Sequence, residues 1–305
     1  MNKRFIRGAA VAAAGALALT ACASSGGAPE GSDGAAQETE LTIGVFNGWP
    51  EGEAVSYLWE AILEEKGYDV ELEYADAGPV FTGVAGGDYD VTLDGWLPMT
   101  HQSYMDEFGD DLVDLGSWND DAVLTLAVNE DAPITSIEEL ADNADAFGNR
   151  IVGIEPGAGL TAATQDSVIP TYGLDGMEFV TSSTPAMLAE LDGALAAGEN
   201  IVVTLWRPHW AYDEYDIRDL EDPEGTLGAA EGIHSIARTG FQEDFAQVSE
   251  ALSAFEMDSE LLFSLENVMF NADADASDYP EIVATWMAEN QEYVDGLAAT
   301  IDPVE

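Results

Sequence analysis

Positive charge is nearly missing from this chain. Eight Lys and Arg stand against 60 Asp and Glu, for a formal net charge of −52. Such a surface has almost nothing to set against phosphate, which excludes DNA, RNA and anionic lipid headgroups as partners. Cysteine is the next shortage: Cys22 is the only one, so a disulfide framework and a cysteine-ligated zinc site are both ruled out. The three histidines, His101, His209 and His234, show no HExxH spacing. Neither a GxSxG elbow nor a GxxxxGK[ST] phosphate loop occurs. The run "NADADASDYPE" (271–281) lacks the glycine of a calcium loop and reads as a solvated turn between helices. With 60 acids, pairs of carboxylates carry little information. The expectation is no enzyme, no metal and no cofactor, with a secreted hydrolase as a remote alternative.

The start of the chain is a cationic "MNKRFIRG" followed by an apolar "AAVAAAGALALTA", the make-up of a signal peptide and too short for a permanent span. It ends in "LTAC", which resembles a bacterial lipobox. The reading is a lipoprotein signal at 1–21, lipidation at Cys22, and attachment to the outer face of the cell membrane. An ordinary signal cleaved after "TACA" is the alternative. Residues 22–40, rich in Gly, Ser and Ala, read as a flexible tether. Losing Lys3, Arg4 and Arg7 with the signal takes the charge to −55 and leaves Lys66 as the last lysine. The hydrophobic share of 47% and 7 tryptophans argue against disorder. A packed globule with an acidic shell, suited to a saline medium where screening softens self-repulsion, is the expectation.

Beyond the tether, strand-like runs at 41–46, 70–74, 122–128, 201–205 and 233–238 and a strand leading to Trp96 alternate with helical patterns. Val55, Leu58, Trp59, Ile62 and Leu63 mark a helix ending near Gly67, with Trp59 in the core. Ser136 and Glu139 have capping-box spacing; Pro185 and Gly198 bracket another helix. From Phe241 onward the pattern is helical. Alternation of this kind predicts an α/β architecture with mainly parallel sheets flanked by helices. Segments at about 122–129 and 233–238 are read as crossovers between two lobes, 41–122 with 239–305 and 129–232. Ligands in such sheets bind beyond the carboxyl ends of the strands, where Trp49, Trp96, Gly159 and Trp206 are expected to stand in loops.

Tryptophan faces suit a cation that has no N–H to donate, such as a quaternary ammonium. The Gly159 and Leu160 amides in "EPGAGLTAAT", at a helix start, suit an anion, and His101 adds a donor. Together they fit a zwitterion with an ammonium at one end and a carboxylate at the other. The blocks "GWPEGEAVSYLWEAILEEKGYDVEL", "DGWLPMTHQSY", "VGIEPGAG", "STPAMLAEL" and "VVTLWRPHWAYDEYDIRDLEDPEG", collinear over about 41–270, resemble the glycine-betaine-binding proteins of osmoprotectant ABC importers. The resemblance implies a two-lobed type II periplasmic-binding-protein fold with its ligand in the interlobe cleft. It also implies a trimethylammonium cage of Trp49, Trp96 and Trp206 and a carboxylate site at Gly159, Leu160 and His101. Trp210 shares a motif with Trp206 and is the alternative third wall; His209 is assigned to bracing that loop. The implied partners are an ABC permease and a small zwitterion, glycine betaine or proline betaine. Choline, carnitine and ectoine remain as alternative ligands.

Overall fold

The computed structural model describes residues 38–271 and 274–304. The signal segment, Cys22 and all but the last residues of the tether lie outside them. Among the described residues, nine strands form one mixed sheet: β1 (Glu40–Phe46), β2 (Asp69–Ala75), β3 (Val91–Leu97), β4 (Leu112–Asn129), β5 (Arg150–Val152), β6 (Glu178–Val180), β7 (Val202–Arg207), β8 (Ile217–Asp219) and β9 (Glu231–Arg238). The order is β2-β1-β3-β9-β4-β7-β5-β6, with β8 also on β4. The pairs of β1 with β2 and β3, and of β5 with β6 and β7, are parallel, as the strand–helix alternation predicts. The antiparallel pairs all involve β4 or β9. Helices flank the sheet, and none among the described residues is long and apolar enough to cross a membrane.

Strand β4 joins the two parts of the sheet. Its first stretch, Leu112–Ala122, pairs with β9; Val123–Val128 pairs with β7, and Ala127–Asn129 with β8. Three register shifts interrupt the first stretch, and Gly116 sits at φ +122°, a conformation open to glycine. The sequence reading finds only the second stretch, because these breaks scramble the period-2 pattern of the first.

The central strand β3 is buried along its whole length, as a strand covered on both faces must be. Helix α1 (Pro50–Glu65) lays Val55, Leu58, Trp59, Ile62 and Leu63 into the core, each at most 1% exposed, the expected helical stripe. Trp59 meets Phe255 edge-on at 5.4 Å. The helix stops at Gly67 (φ +94°). Beside that stop, the Nζ of Lys66 donates to the carbonyls of Ala298 (3.1 Å) and Ile301 (2.7 Å), tying the C-terminal segment to α1. The Ser136–Glu139 capping box is present, over a single helical turn.

All five cations of the described chain serve structure. Arg150, Arg207 and Arg238 pair with Glu190, Asp219, Asp90 and Asp244. Arg218 donates to the carbonyls of Glu130, Ala132 and Ile134, and Lys66 is engaged as described.

Candidate functional site

The carboxyl ends of β1, β3, β5 and β7 converge on a small, tightly packed cavity of about 10 Å³, lined by Trp49, Glu51, Trp96, Thr100, Leu124, Ile154, Leu160 and Trp206. The three tryptophans are 6%, 2% and 2% exposed. Trp49 is the N-cap residue of α1. Trp96 and Trp206 are the next-to-last residues of β3 and β7, so they stand on strands and not in the loops expected of them. The strands run past the apolar stretches visible in the sequence because their last residues pair with β9 and β4. In particular, Leu124 pairs with Trp206, which sets a second apolar wall beside the indole. Rings carried on strands are held more rigidly than rings on loops. Trp49 and Trp206 approach with ring centroids 5.8 Å apart at 52°.

Carboxylates orient two of the rings. The Trp96 indole N–H donates to Asp94 Oδ1 at 2.9 Å, and that of Trp49 to Glu155 Oε2 at 3.4 Å. Glu155 also accepts from the Thr184 amide (2.7 Å) and the Thr184 hydroxyl (3.0 Å), at the start of the helix Thr184–Ala197. One buried side chain therefore links the Trp49 wall to a helix N-terminus, where a negative charge is favoured. The Trp206 indole N–H has no partner.

His101 is fully buried but does not line the cavity. Its ring stacks on Trp49 at 5.7 Å and 9°, backing that wall. Its Nδ1 accepts the Trp96 backbone N–H at 2.9 Å. Burial pushes the imidazole down to about 3, so it is neutral with its proton on Nε2, an atom without a partner. The result is a fixed, uncharged donor beside the cage. His209 repeats the arrangement: its Nδ1 accepts from Ala211 N–H at 3.0 Å, its Nε2 is unpartnered, and burial pushes it down to about 3. It meets Trp206 edge-on at 4.8 Å, consistent with bracing that loop. Trp210 packs on His209 and Tyr215 outside the cavity, whereas Trp206 lines it.

Leu160 lines the cavity, whereas Gly159 lines an adjoining cleft with Met99, Thr100, Tyr104, Gly157 and Glu231. A Cβ on Gly159 would stand 2.3 Å from the Thr100 carbonyl oxygen, so only glycine allows this approach. Glu231 holds the other side: it accepts from the amides of Met99 and Thr100 (3.0 Å to the latter) and from the Thr100 hydroxyl. Tyr104 Oη donates to the Gly157 carbonyl at 3.0 Å.

Sequence reasoning missed Glu51, Thr100, Leu124 and Ile154 in the lining, and Glu155 and Glu231 behind it. An acid two residues after Trp49 was a usable signal for Glu51, but 60 acids hid it. Burial pushes Glu51 up to about 8. The Trp206 indole opposes this only from a geometry outside hydrogen bonding, for neither Glu51 oxygen has a partner.

The fold is that of a type II periplasmic-binding protein. The chain superposes on lactococcal OpuAC, solved in a closed form with glycine betaine, with a TM-score of 0.78 at 28% identity over 85% of this chain and 99% of that one. It superposes equally, with a TM-score of 0.78 at 29% identity over 86% and 100%, on the glycine/betaine/L-proline-binding protein ProX of Borrelia burgdorferi. A choline-binding protein of an ABC transporter shares the fold, with a TM-score of 0.79 at 22% identity over 87% and 93%. Residues 39–289 match the family described as the substrate binding domain of ABC-type glycine betaine transport systems, and the chain belongs to that family. It is 36% identical over 166 residues to the glycine betaine/carnitine transport binding protein GbuC of Listeria monocytogenes. That match covers 54% of this chain and about half, 53%, of the relative.

Proposed function

We propose that this chain is the solute receptor of an osmoprotectant ABC importer and that its ligand is glycine betaine or a close relative such as proline betaine. The observation that carries the reading is the cavity walled by Trp49, Trp96 and Trp206. Each ring face offers a desolvated quaternary ammonium on the order of 2 kcal/mol. The carboxylate end would lie toward Thr100, Leu160 and Gly159, where amides and the unpartnered His101 Nε2 supply donors.

In this account 41–122 with 239–305 and 129–232 act as two lobes that close on the ligand across β4. The Trp49–Glu155 and Tyr104–Gly157 bonds join the two sides, and closure is the signal for a permease. The protein would work outside the cytoplasm, held by a lipid on Cys22. A zwitterion is neither drawn nor repelled by the acidic field, whereas choline would leave the carboxylate donors unfilled, which costs affinity. Calorimetric titration with glycine betaine, proline betaine, choline, carnitine and ectoine in high salt tests the assignment. Betaines should bind most tightly; choline at or above betaine affinity would remove the anion site.

A further inference from the structure

Beside the tryptophan walls lie three buried carboxyl groups, of which only Asp94 has a task so far, orienting Trp96. Glu51 sits in the first turn of α1 and lines the cavity; Asp94 is on β3; Glu266 is on the helix Ser259–Phe270. All three are at most 1% exposed. Of their six oxygens only Asp94 Oδ1 is hydrogen-bonded, to Trp96; both oxygens of Glu51, both of Glu266 and Asp94 Oδ2 have no partner. Asp94 packs under Gly52 of α1, where an added Cβ would stand 2.5 Å from Oδ2. Asp213 also acts on Glu266, and His209, edge-on against Trp206, is kept neutral by burial. No cation reaches the cluster, because Lys66, Arg150, Arg207, Arg218 and Arg238 are committed elsewhere.

Three unpaired carboxylates cannot share a dry site, so protons stay on. Burial pushes Glu51 up to about 8; burial and the Glu51 charge push Asp94 and Glu266 well above the ordinary carboxyl range. Glu51 is the one of the three that lines the cavity and would face the ligand. A zwitterion brings its own carboxylate into the cavity and balances its ammonium. A bare cation does not, and the nearest balancing charge is an ionised Glu51.

Resting on the function proposed above, we infer that Glu51, backed by Asp94 and Glu266, sets the choice between zwitterionic and purely cationic quaternary ammonium ligands. A cation without a carboxylate binds with transfer of the Glu51 proton to the buffer, leaving a carboxylate against the ammonium. A zwitterion binds with the proton retained.

The test is calorimetric titration of choline and glycine betaine into the full mature protein in high salt, from about pH 6 to about pH 9, in two buffers of different ionisation enthalpy. Choline affinity should rise up to about tenfold per pH unit below the Glu51 midpoint, with buffer-dependent heat showing proton release. Below the same midpoint betaine affinity should move less than about threefold. Glu51→Gln should remove the choline slope, and Glu266→Gln, which does not touch the cavity, should keep it. Infrared difference spectra of the unsubstituted protein give a reading that no variant's folding can confuse: choline should bleach a protonated-carboxyl band that betaine leaves in place. A flat choline affinity beside normal betaine binding overturns the inference, as does an unchanged slope in Glu51→Gln or choline binding that stays undetectable at the upper pH. If neither ligand binds, the function proposed above falls and takes this inference with it.

Discussion

Replacing Glu155 by glutamine separates two tasks that one side chain performs. Its Oε1 accepts the Thr184 amide at 2.7 Å, while Oε2 accepts the Thr184 hydroxyl at 3.0 Å and the Trp49 indole N–H at 3.4 Å. A glutamine oxygen can keep the Thr184 amide bond at the start of the helix Thr184–Ala197, which Ser183 caps in either case. Its NH₂ group must then face the Trp49 N–H, donor against donor, although the Thr184 hydroxyl can turn to accept. Trp49 loses its anchor and a buried donor is left unmet, a cost of about 1–2 kcal/mol. That predicts betaine binding weaker by up to about 5–30-fold, with at most about 1–2 kcal/mol lost from folding stability. Glu155→Ala also removes the bonds to the Thr184 amide and hydroxyl, for a further loss of about 1–2 kcal/mol of folding stability. Calorimetric titration beside thermal unfolding at fixed salt measures both quantities. Betaine affinity in Glu155→Gln within twofold of the parent protein would refute the idea that Glu155 positions the Trp49 wall.

Other outcomes follow from the same geometry. Trp206→Ala should weaken betaine binding by about 2–4 kcal/mol, roughly 30- to 1,000-fold, since it removes a ring face and opens the cavity. Trp210→Ala should change it only a few-fold; the two titrations side by side check which tryptophan is the wall. Folding stability of the unliganded protein should decline as pH rises from about 5.5 to about 7.5. Glu51 keeps its proton when folded and loses it near pH 4.5 when unfolded, so the unfolded state binds fewer protons in this window. Glu51→Gln should lessen that decline by about 1.4 kcal/mol per pH unit in denaturant melts. An equal decline in both proteins would show that Glu51 ionises normally. Gly159→Ala should abolish high-affinity binding, because its Cβ meets the Thr100 carbonyl oxygen at 2.3 Å; near-normal affinity would place the two segments further apart in solution.

Most of the frame was legible because its patterns are local. The stripe Val55, Leu58, Trp59, Ile62 and Leu63, the capping box at Ser136 and the apolar strands each announce themselves within a dozen residues. The three-residue strands β6 and β8 have no period to read, and the first stretch of β4 hides behind its register shifts. The tryptophans that line the cavity stand in motifs visible in the sequence, and Trp206 separates from Trp210 as a lining residue only with Leu124 across the ladder. His101 was read as a ligand donor; its stacking on Trp49 is a tertiary contact that its motif does not carry. Glu51, Glu155 and Glu231 were illegible for a statistical reason: in a chain with 60 acids, the buried ones look like the solvated ones. Only burial and partners tell them apart.

The central claim is that tryptophan faces hold a cation rather than merely an apolar ball. Tert-butylacetate has the shape and carboxylate of glycine betaine with carbon in place of the quaternary nitrogen. Calorimetric titration of both into the mature protein in high salt tests the claim directly. The account predicts that tert-butylacetate binds at least about 100-fold more weakly, since three ring–cation contacts are lost. Comparable affinities for the two would contradict it.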